Sequence, residues 1–228
     1  MSDTAASHKV WTIIDLITWG TSYLNDRGFD DARLNIELLL SHVLNLQRIR
    51  LYTNFDTPLS DDELARFKAL LKRRLDHEPL QYILGETEFM GLKFRVDNRV
   101  LIPRPETEVL VEQTIKELQT RYPDSADVRV LEIGTGSGCI AISIAHAIKA
   151  CHVTAIDCSS DAIIVARQNA TLNGVDERIA FHCLEYQEQA GIDGTFHCIV
   201  SNPPYISVNE YSQLSREVKD FEPSVALA

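Results

Sequence analysis

Val128-Arg129-Val130-Leu131-Glu132-Ile133, followed at once by Gly134-Thr135-Gly136-Ser137-Gly138, is the segment from which the fold can be read. Six residues dominated by Val, Leu and Ile have the length and character of a buried strand. Three glycines at alternate positions then allow the backbone to turn sharply and to approach a ligand closely. Moving outward, Ile140 to Ile148 is an apolar helix and Val153-Thr154-Ala155-Ile156-Asp157 a second strand. Asp161 to Leu172 reads as a second helix, Ile179 to Cys183 as a third strand and His197 to Ser201 as a fourth. Alternation of this kind predicts an α/β, Rossmann-like domain: a parallel sheet with helices on both faces.

The turn also narrows the ligand. A dinucleotide fingerprint, G-x-G-x-x-G, would place glycine or alanine at position 139, where this chain has Cys139. No Gly-Lys-Ser/Thr follows, so an NTPase-type phosphate cradle is absent. Glu132, just before the turn, would repel a pyrophosphate and suits an amine-bearing ligand. Asp157 ends the second strand, where a carboxylate can accept both hydroxyls of a ribose; its competing role is a helix N-cap. Together these residues describe a nucleoside with a cationic or zwitterionic tail and no phosphate. S-adenosylmethionine fits that description.

Ser201-Asn202-Pro203-Pro204-Tyr205 follows the fourth strand. Neither proline has an N–H to donate, so ladder and helix both stop in a stiff loop. The loop lies at the C-terminal end of a strand, where open α/β sheets bind ligands. The Asn202 side-chain oxygen and the Pro203 carbonyl are two fixed acceptors suited to holding an –NH2 group by both hydrogens. A turn with a packed tyrosine is the competing reading.

The N-terminal third is helical. Val10, Ile13, Ile14, Leu16 and Ile17 recur at helical spacing, as do Leu64, Phe67, Leu70, Leu71 and Leu75. Gly28-Phe29-Asp30-Asp31 reads as a stop followed by a cap, and Ser60…Glu63 has capping-box spacing. The expected organisation is a helical bundle over residues 1–80, a linker over 81–100 and the α/β domain over 101–228. The linker contains a β-hairpin turning at Met90-Gly91. Leu101-Ile102-Pro103-Arg104-Pro105-Glu106-Thr107-Glu108 then enters a helix whose first turn carries Glu106 and Glu108, favoured there by the helix dipole.

Hydrophobic residues make up 45% of the 228 and charged residues 24%, the balance of a soluble globular chain. The formal net charge of −11 argues against a broad nucleic-acid surface. Lys72-Arg73-Arg74 is a small basic patch, and a solvated helix face accounts for it. No apolar run reaches the roughly 20 residues of a membrane span, and Met1 to Lys9 lacks the apolar core of a secretory signal. A cytoplasmic location is expected. Five cysteines include no C-x-x-C. The neighbours Cys151-His152, His182-Cys183 and His197-Cys198 would point to opposite faces of their strands, so no metal site is expected.

Glu132-x-Gly134-x-Gly136-x-Gly138, Asp157 and Asn202-Pro203-Pro204-Tyr205, in that order, resemble a class I S-adenosylmethionine-dependent methyltransferase acting on a planar amide or amine nitrogen. Glu78-Pro79-Leu80-Gln81-Tyr82-Ile83-Leu84-Gly85 and the stretch Leu101 to Glu108 narrow the resemblance to the HemK/PrmC family, which methylates a glutamine side-chain amide in peptide chain release factors. The resemblance implies transfer to N5 of the glutamine in a Gly-Gly-Gln motif. It implies a class I domain preceded by a helical substrate-recognition domain, acting as a monomer on a release factor without direct sequence-specific contact to nucleic acid. By the same resemblance Glu132, Gly134, Thr135, Gly136, Gly138, Asp157 and Asn202 would hold the cofactor. Asn202 and Pro203 would grip the amide, Pro204 and Tyr205 would pack beside it, and Pro103, Arg104 and Glu106 would close over the site. Two departures stand out. The third strand is not followed by the family's aspartate, Glu185 being the nearest acid for an adenine contact. The chain also ends at Ala228, where the family continues with the last three strands of a seven-stranded sheet, so a C-terminally truncated sheet is expected. The alternatives are a nucleic-acid adenine N6-methyltransferase, which would need a flipped base, and a non-catalytic release-factor-binding fragment.

Overall fold

The computed structural model describes residues 10–123, 127–185, 192 and 194–227. They fall into two compact units, Met1–Leu84 and Gly85–Ala228.

The first unit is helical, with α1 (Ile13–Asn25), α2 (Ala32–Leu44), α3 (Arg48–Thr53), α4 (Asp61–Leu75) and α5 (Leu80–Leu84). Ser60 and Glu63 form the expected capping box, each side chain accepting from the other's backbone N–H at 3.3 and 2.8 Å. Thr12 and Asp15 do the same at α1. Asp31 caps nothing with its side chain; instead the buried Asn35 amide donates to the Asp30 and Asp31 carbonyls. Leu24, Ile36, Leu39, Leu40, Leu51 and Phe67 are fully buried and form the bundle core.

The second unit opens with the hairpin of β1 (Glu86–Phe89) and β2 (Leu92–Arg95). Met90 and Gly91 both take positive φ, 52° and 72°, the conformation that two-residue hairpin turns require. The hairpin does not stand apart as a linker. The buried Asn169 of α8 (Ser160–Leu172) accepts from Arg95 N at 2.7 Å and donates to Arg95 O at 3.0 Å. Glu108 of α6 (Pro105–Arg121) accepts from Met90 N at 2.7 Å. Phe89 and Phe94 join the same core as the sheet.

The sheet consists of β3 (Val128–Ile133), β4 (Cys151–Asp157), β5 (Ile179–Cys183) and β6 (Cys198–Ser201), all parallel, in the order β5-β4-β3-β6. Val130, Val153, Ile179 and Val200 face the core together with α6, α7 (Cys139–Ala147) and α8. Among the described residues α6, α7 and α8 therefore share one face, where the alternating pattern predicts cover on both. The steps β3 to β4 and β4 to β5 move the same way across the sheet, and crossovers of one hand must place both helices on one side. On the other face Arg129, His152 and Ala180 are exposed and Ile199 is 63% accessible. Two short helices, α9 (Val208–Tyr211) and α10 (Arg216–Phe221), follow β6.

Candidate active site

The chain leaves β3 and moves one way to β4 and β5, whereas β6 lies on the opposite flank of β3. That reversal opens a crevice at the C-terminal ends of the strands, the switch point where open α/β sheets bind ligands. A cavity of about 340 Å³ occupies it, walled by Gly134 to Ser137 after β3, Asp157 to Ser159 after β4, Leu184 and Glu185 after β5, and Asn202 to Pro204 after β6. Leu101, Pro103, Arg104 and Thr107 from the entry to α6 complete the wall with Pro223, Val225 and Ala226. A second cavity of about 360 Å³ adjoins it, lined by Glu106, Leu110, Tyr205, Ile206, Leu214 and Val218 among others. Leu101, Arg104, Thr107, Asn202, Pro203 and Ala226 line both.

The glycine turn is built from backbone. Gly134 N and Thr135 N both donate to Ile156 O, at 2.9 and 3.0 Å, and Gly138 N donates to Thr135 O at 2.8 Å. Gly134 and Gly136 have φ of 76° and 55° with open space beside them, a concave cradle that side chains would fill. Asp157 holds the turn from the neighbouring strand. Its Oδ2 accepts from Gly136 N at 2.8 Å and its Oδ1 from Ser159 N at 2.9 Å. Ser159, not Asp157, is the N-cap of α8. Each Asp157 oxygen thus retains acceptor capacity towards the cavity. A cradle of bare backbone and a carboxylate with spare lone pairs fit a nucleoside with an amine-bearing tail.

Two residues expected to hold the cofactor lie off the cavity wall. Glu132 does not line the cavity: it is fully buried beneath the turn, and its Oε2 accepts from Thr135 Oγ1 at 2.6 Å and from Ala141 N at 3.2 Å. Burial pushes its pKa up to about 8, so it is an internal strut carrying a proton rather than an anion facing a ligand. Gly138 is also absent from the wall. A Cβ there would lie 2.9 Å from Ile142 Cδ1 and 3.2 Å from Ala166 Cβ, so this glycine lets the turn and α8 pack closely.

Asn202 sits where the two cavities meet. Its Nδ2 donates to Thr107 Oγ1 at 3.3 Å, and among the described residues Oδ1 takes part in no hydrogen bond. Ser201 Oγ donates to Ile133 O at 2.8 Å and ties the root of the loop to β3. Pro203 lines both cavities, Pro204 the first and Tyr205 the second, with Tyr205 80% exposed at its mouth. Glu106 lines the second cavity only. Arg104 donates to the buried Glu222 at 2.5 Å, and Glu222 also accepts from Ile102 N at 3.4 Å. Burial raises the Glu222 pKa and the Arg104 guanidinium opposes that rise.

Thr107, Asn169 and Glu222 carry no signal that sequence reasoning used. Asn169 Nδ2 donates to Ser137 O at 2.9 Å while also bonding Arg95, so it fastens the glycine turn to the hairpin. Its only sequence signal is an asparagine on the apolar side of a helix. Among the described residues no group of three or more His, Cys, Asp or Glu is placed to hold a metal ion, and no helix is long and apolar enough to cross a membrane.

Two family models match the chain. Residues 15–85 match the PrmC N-terminal domain and residues 107–218 the methyltransferase small domain. A release factor glutamine methyltransferase of Chlorobaculum tepidum is 45% identical over 223 residues, spanning 96% of this chain and 76% of that protein. The proteins of the same name from Geobacter sulfurreducens and Bacillus subtilis are 44% and 37% identical, covering 96% and 95% of this chain and 74% of each relative.

Proposed function

The chain belongs to the release factor glutamine methyltransferase family, and on that premise we propose how its two cavities divide the reaction. It is an enzyme that transfers a methyl group from S-adenosylmethionine to a glutamine side-chain amide of a release factor. The first cavity takes the cofactor, with Gly134, Thr135 and Gly136 along its tail and Asp157 accepting from the ribose hydroxyls. The second takes the substrate segment bearing Gly-Gly-Gln. Asn202 and Pro203 receive the glutamine amide where the cavities meet, Tyr205 packs on it, and Pro103, Arg104 and Glu106 close the entrance. The observation that carries this reading is the position of Asn202 and Pro203 on the wall that both cavities share.

The chemistry explains why two acceptors are needed. An amide nitrogen is a poor nucleophile because its lone pair is delocalised into the carbonyl. Asn202 Oδ1 and the Pro203 carbonyl each accept one N–H and hold the nitrogen while it pyramidalises. Positive charge grows on that nitrogen, and acceptors fixed in advance stabilise it. When bound, S-adenosylmethionine supplies the electrophilic methyl. Fixing the nucleophile beside the methyl donor would supply roughly 7–11 kcal/mol of the barrier. No strong base is required, since an N-protonated amide loses its proton readily. The helical unit recognises the release factor, and the enzyme works as a cytoplasmic monomer.

The test is Asn202→Ala, assayed by single-turnover methyl transfer to a release factor with cofactor titration on the same sample. Loss of one preorganised polar group of this kind typically costs 10²–10³ in rate. Turnover should fall by that factor while cofactor affinity is kept. Retention of more than about a tenth of wild-type turnover would remove Asn202 from this role.

A further inference from the structure

We propose that Asn169 is a positioning residue for cofactor binding: one buried amide, set behind the first cavity, holds two of its walls at a fixed separation. The proposal rests on the reading of that cavity as the S-adenosylmethionine site. One wall is the glycine turn, which Asn169 reaches through Nδ2 donating to Ser137 O at 2.9 Å. The other is Arg99-Val100-Leu101, four to six residues beyond Arg95. Asn169 grips Arg95 at both main-chain groups, Oδ1 accepting from its N at 2.7 Å and Nδ2 donating to its O at 3.0 Å. All three partners have a single sense, since an amide N–H only donates and a carbonyl only accepts. Turning the Asn169 amide by 180° would break every one of these bonds, so its orientation is settled.

Asn169 has no exposed surface, and Val165, Ala166 and Ala170 beside it on α8 are buried and apolar. A buried amide is tolerated in such surroundings when its oxygen and both its N–H groups are engaged, as they are here. What lies between Asn169 and the cavity is stiff. The planar Ser137–Gly138 peptide is held at both ends, its carbonyl by Asn169 and its N–H by Thr135 O at 2.8 Å. Gly134, Gly136 and Gly138 have positive φ and no side chains, so the turn depends on such ties for its shape. On the other wall Val96 and Val100 are buried, and Val100 N donates to Asp97 O at 3.1 Å. Arg99 donates to the Asp97 carboxylate through N, Nε and Nη2 at 3.0, 2.8 and 2.6 Å. Displacing Arg95 therefore displaces the wall. Walls fixed before the ligand arrives spare it the cost of ordering them, and that saving appears as affinity.

The experiment compares Asn169→Ala with Asn173→Ala in the full chain. Asn173, at the C-cap of α8, fastens the same hairpin through Nδ2 donating to Lys93 O at 2.9 Å, without a bond to the glycine turn. The probe is S-adenosylhomocysteine, the demethylated cofactor, titrated by calorimetry into folded protein. A neutral hydrogen bond sets the scale at about two- to ten-fold in an equilibrium constant. Asn169→Ala should raise the dissociation constant by about three- to ten-fold, and Asn173→Ala should leave it unchanged. Single-turnover transfer at saturating cofactor should stay within about two-fold of wild type in both, because the loss falls on binding. Should Asn169→Ala fail to fold, hydrogen exchange on the wild-type chain carries the test. Arg95 does not line the cavity, yet its N–H should gain protection together with those of Gly136 and Gly138 when S-adenosylhomocysteine binds, while Met90 N–H at the hairpin tip should not. An unchanged dissociation constant in folded Asn169→Ala, an equal loss in Asn173→Ala, or an Arg95 N–H indifferent to the ligand overturns the proposal and makes Asn169 a packing residue of α8. Unaltered affinity in Asp157→Ala would instead remove the first cavity as the cofactor site, and this proposal with it.

Discussion

Glu132→Gln isolates the consequence of burying a carboxyl beneath the glycine turn. The side chain has no exposed surface, and its Oε1 has no hydrogen-bond partner among the described residues. Burial is the largest influence on its pKa and pushes it up to about 8 from an ordinary 4.5. The Thr135 and Ala141 hydrogen bonds pull the other way, and the nearby Asp157 charge adds to the rise. Between those two values the folded chain keeps a proton that the unfolded chain has released. The folded state then binds more protons, so stability falls as pH rises. The contribution is fully present below about pH 4.5 and is lost by about pH 8, amounting to about 5 kcal/mol across the whole window. From pH 6 to pH 8 the linkage relation assigns it about 2 kcal/mol. Glutamine keeps the shape and cannot ionise, but its –NH2 brings one more hydrogen than the protonated carboxyl to a position without a partner among the described residues, at a cost of about 1–3 kcal/mol. The variant should therefore be less stable than wild type at pH 6, and the gap should shrink by about 2 kcal/mol at pH 8. Urea unfolding at several pH values, followed by far-UV circular dichroism, measures this. Both tryptophans, Trp11 and Trp19, lie in the helical unit, so their fluorescence reports that unit separately and should respond alike in the two proteins. Parallel pH profiles for wild type and variant would refute the reasoning, because they would mean that Glu132 carries no proton through this range.

Asp157→Ala removes the acceptor assigned to the ribose hydroxyls; charge-assisted bonds worth about 1.5–3 kcal/mol predict cofactor binding weakened roughly ten- to a hundred-fold, measured by calorimetry. An unchanged dissociation constant would confine Asp157 to bracing Gly136 and Ser159. Gly138→Ala forces a Cβ to within 2.9 Å of Ile142 at a φ of +82°, and should destabilise the second unit by about 1–3 kcal/mol in urea titration; stability equal to wild type would contradict the close packing of α7 and α8. Removing residues before Leu80 should leave cofactor affinity nearly intact and weaken methylation of a whole release factor more than that of a short glutamine peptide. Equal losses on both substrates would count against recognition by the helical unit.

The amino-acid sequence by itself determined the elements and their order. The apolar runs that became β3 to β6, the capping box at Ser60, the hairpin turn at Met90-Gly91 and the glycine turn all depend on neighbours a few residues apart. Such local rules of period, cap and φ can be read without knowing what lies opposite. The loop after β6 and the carboxylate ending β4 were legible as ligand-facing positions for the same reason, since strand ends and prolines announce themselves locally. Only the tertiary structure decided what those positions meet. Period-two alternation puts Glu132 on a face, but the one-sided cover of α6, α7 and α8 makes that face the core, so the acid became a buried strut. Gly138 turned away from the cavity because α8 packs against it. The pairing of β6 with β3 brought Ser201 beside Ile133, and with it Asn202 onto the wall that two cavities share. The bonds Asn202–Thr107 and Arg104–Glu222 span 95 and 118 residues. Contacts at that separation are fixed by how packed layers close on one another, and no local period in the chain encodes which partner arrives.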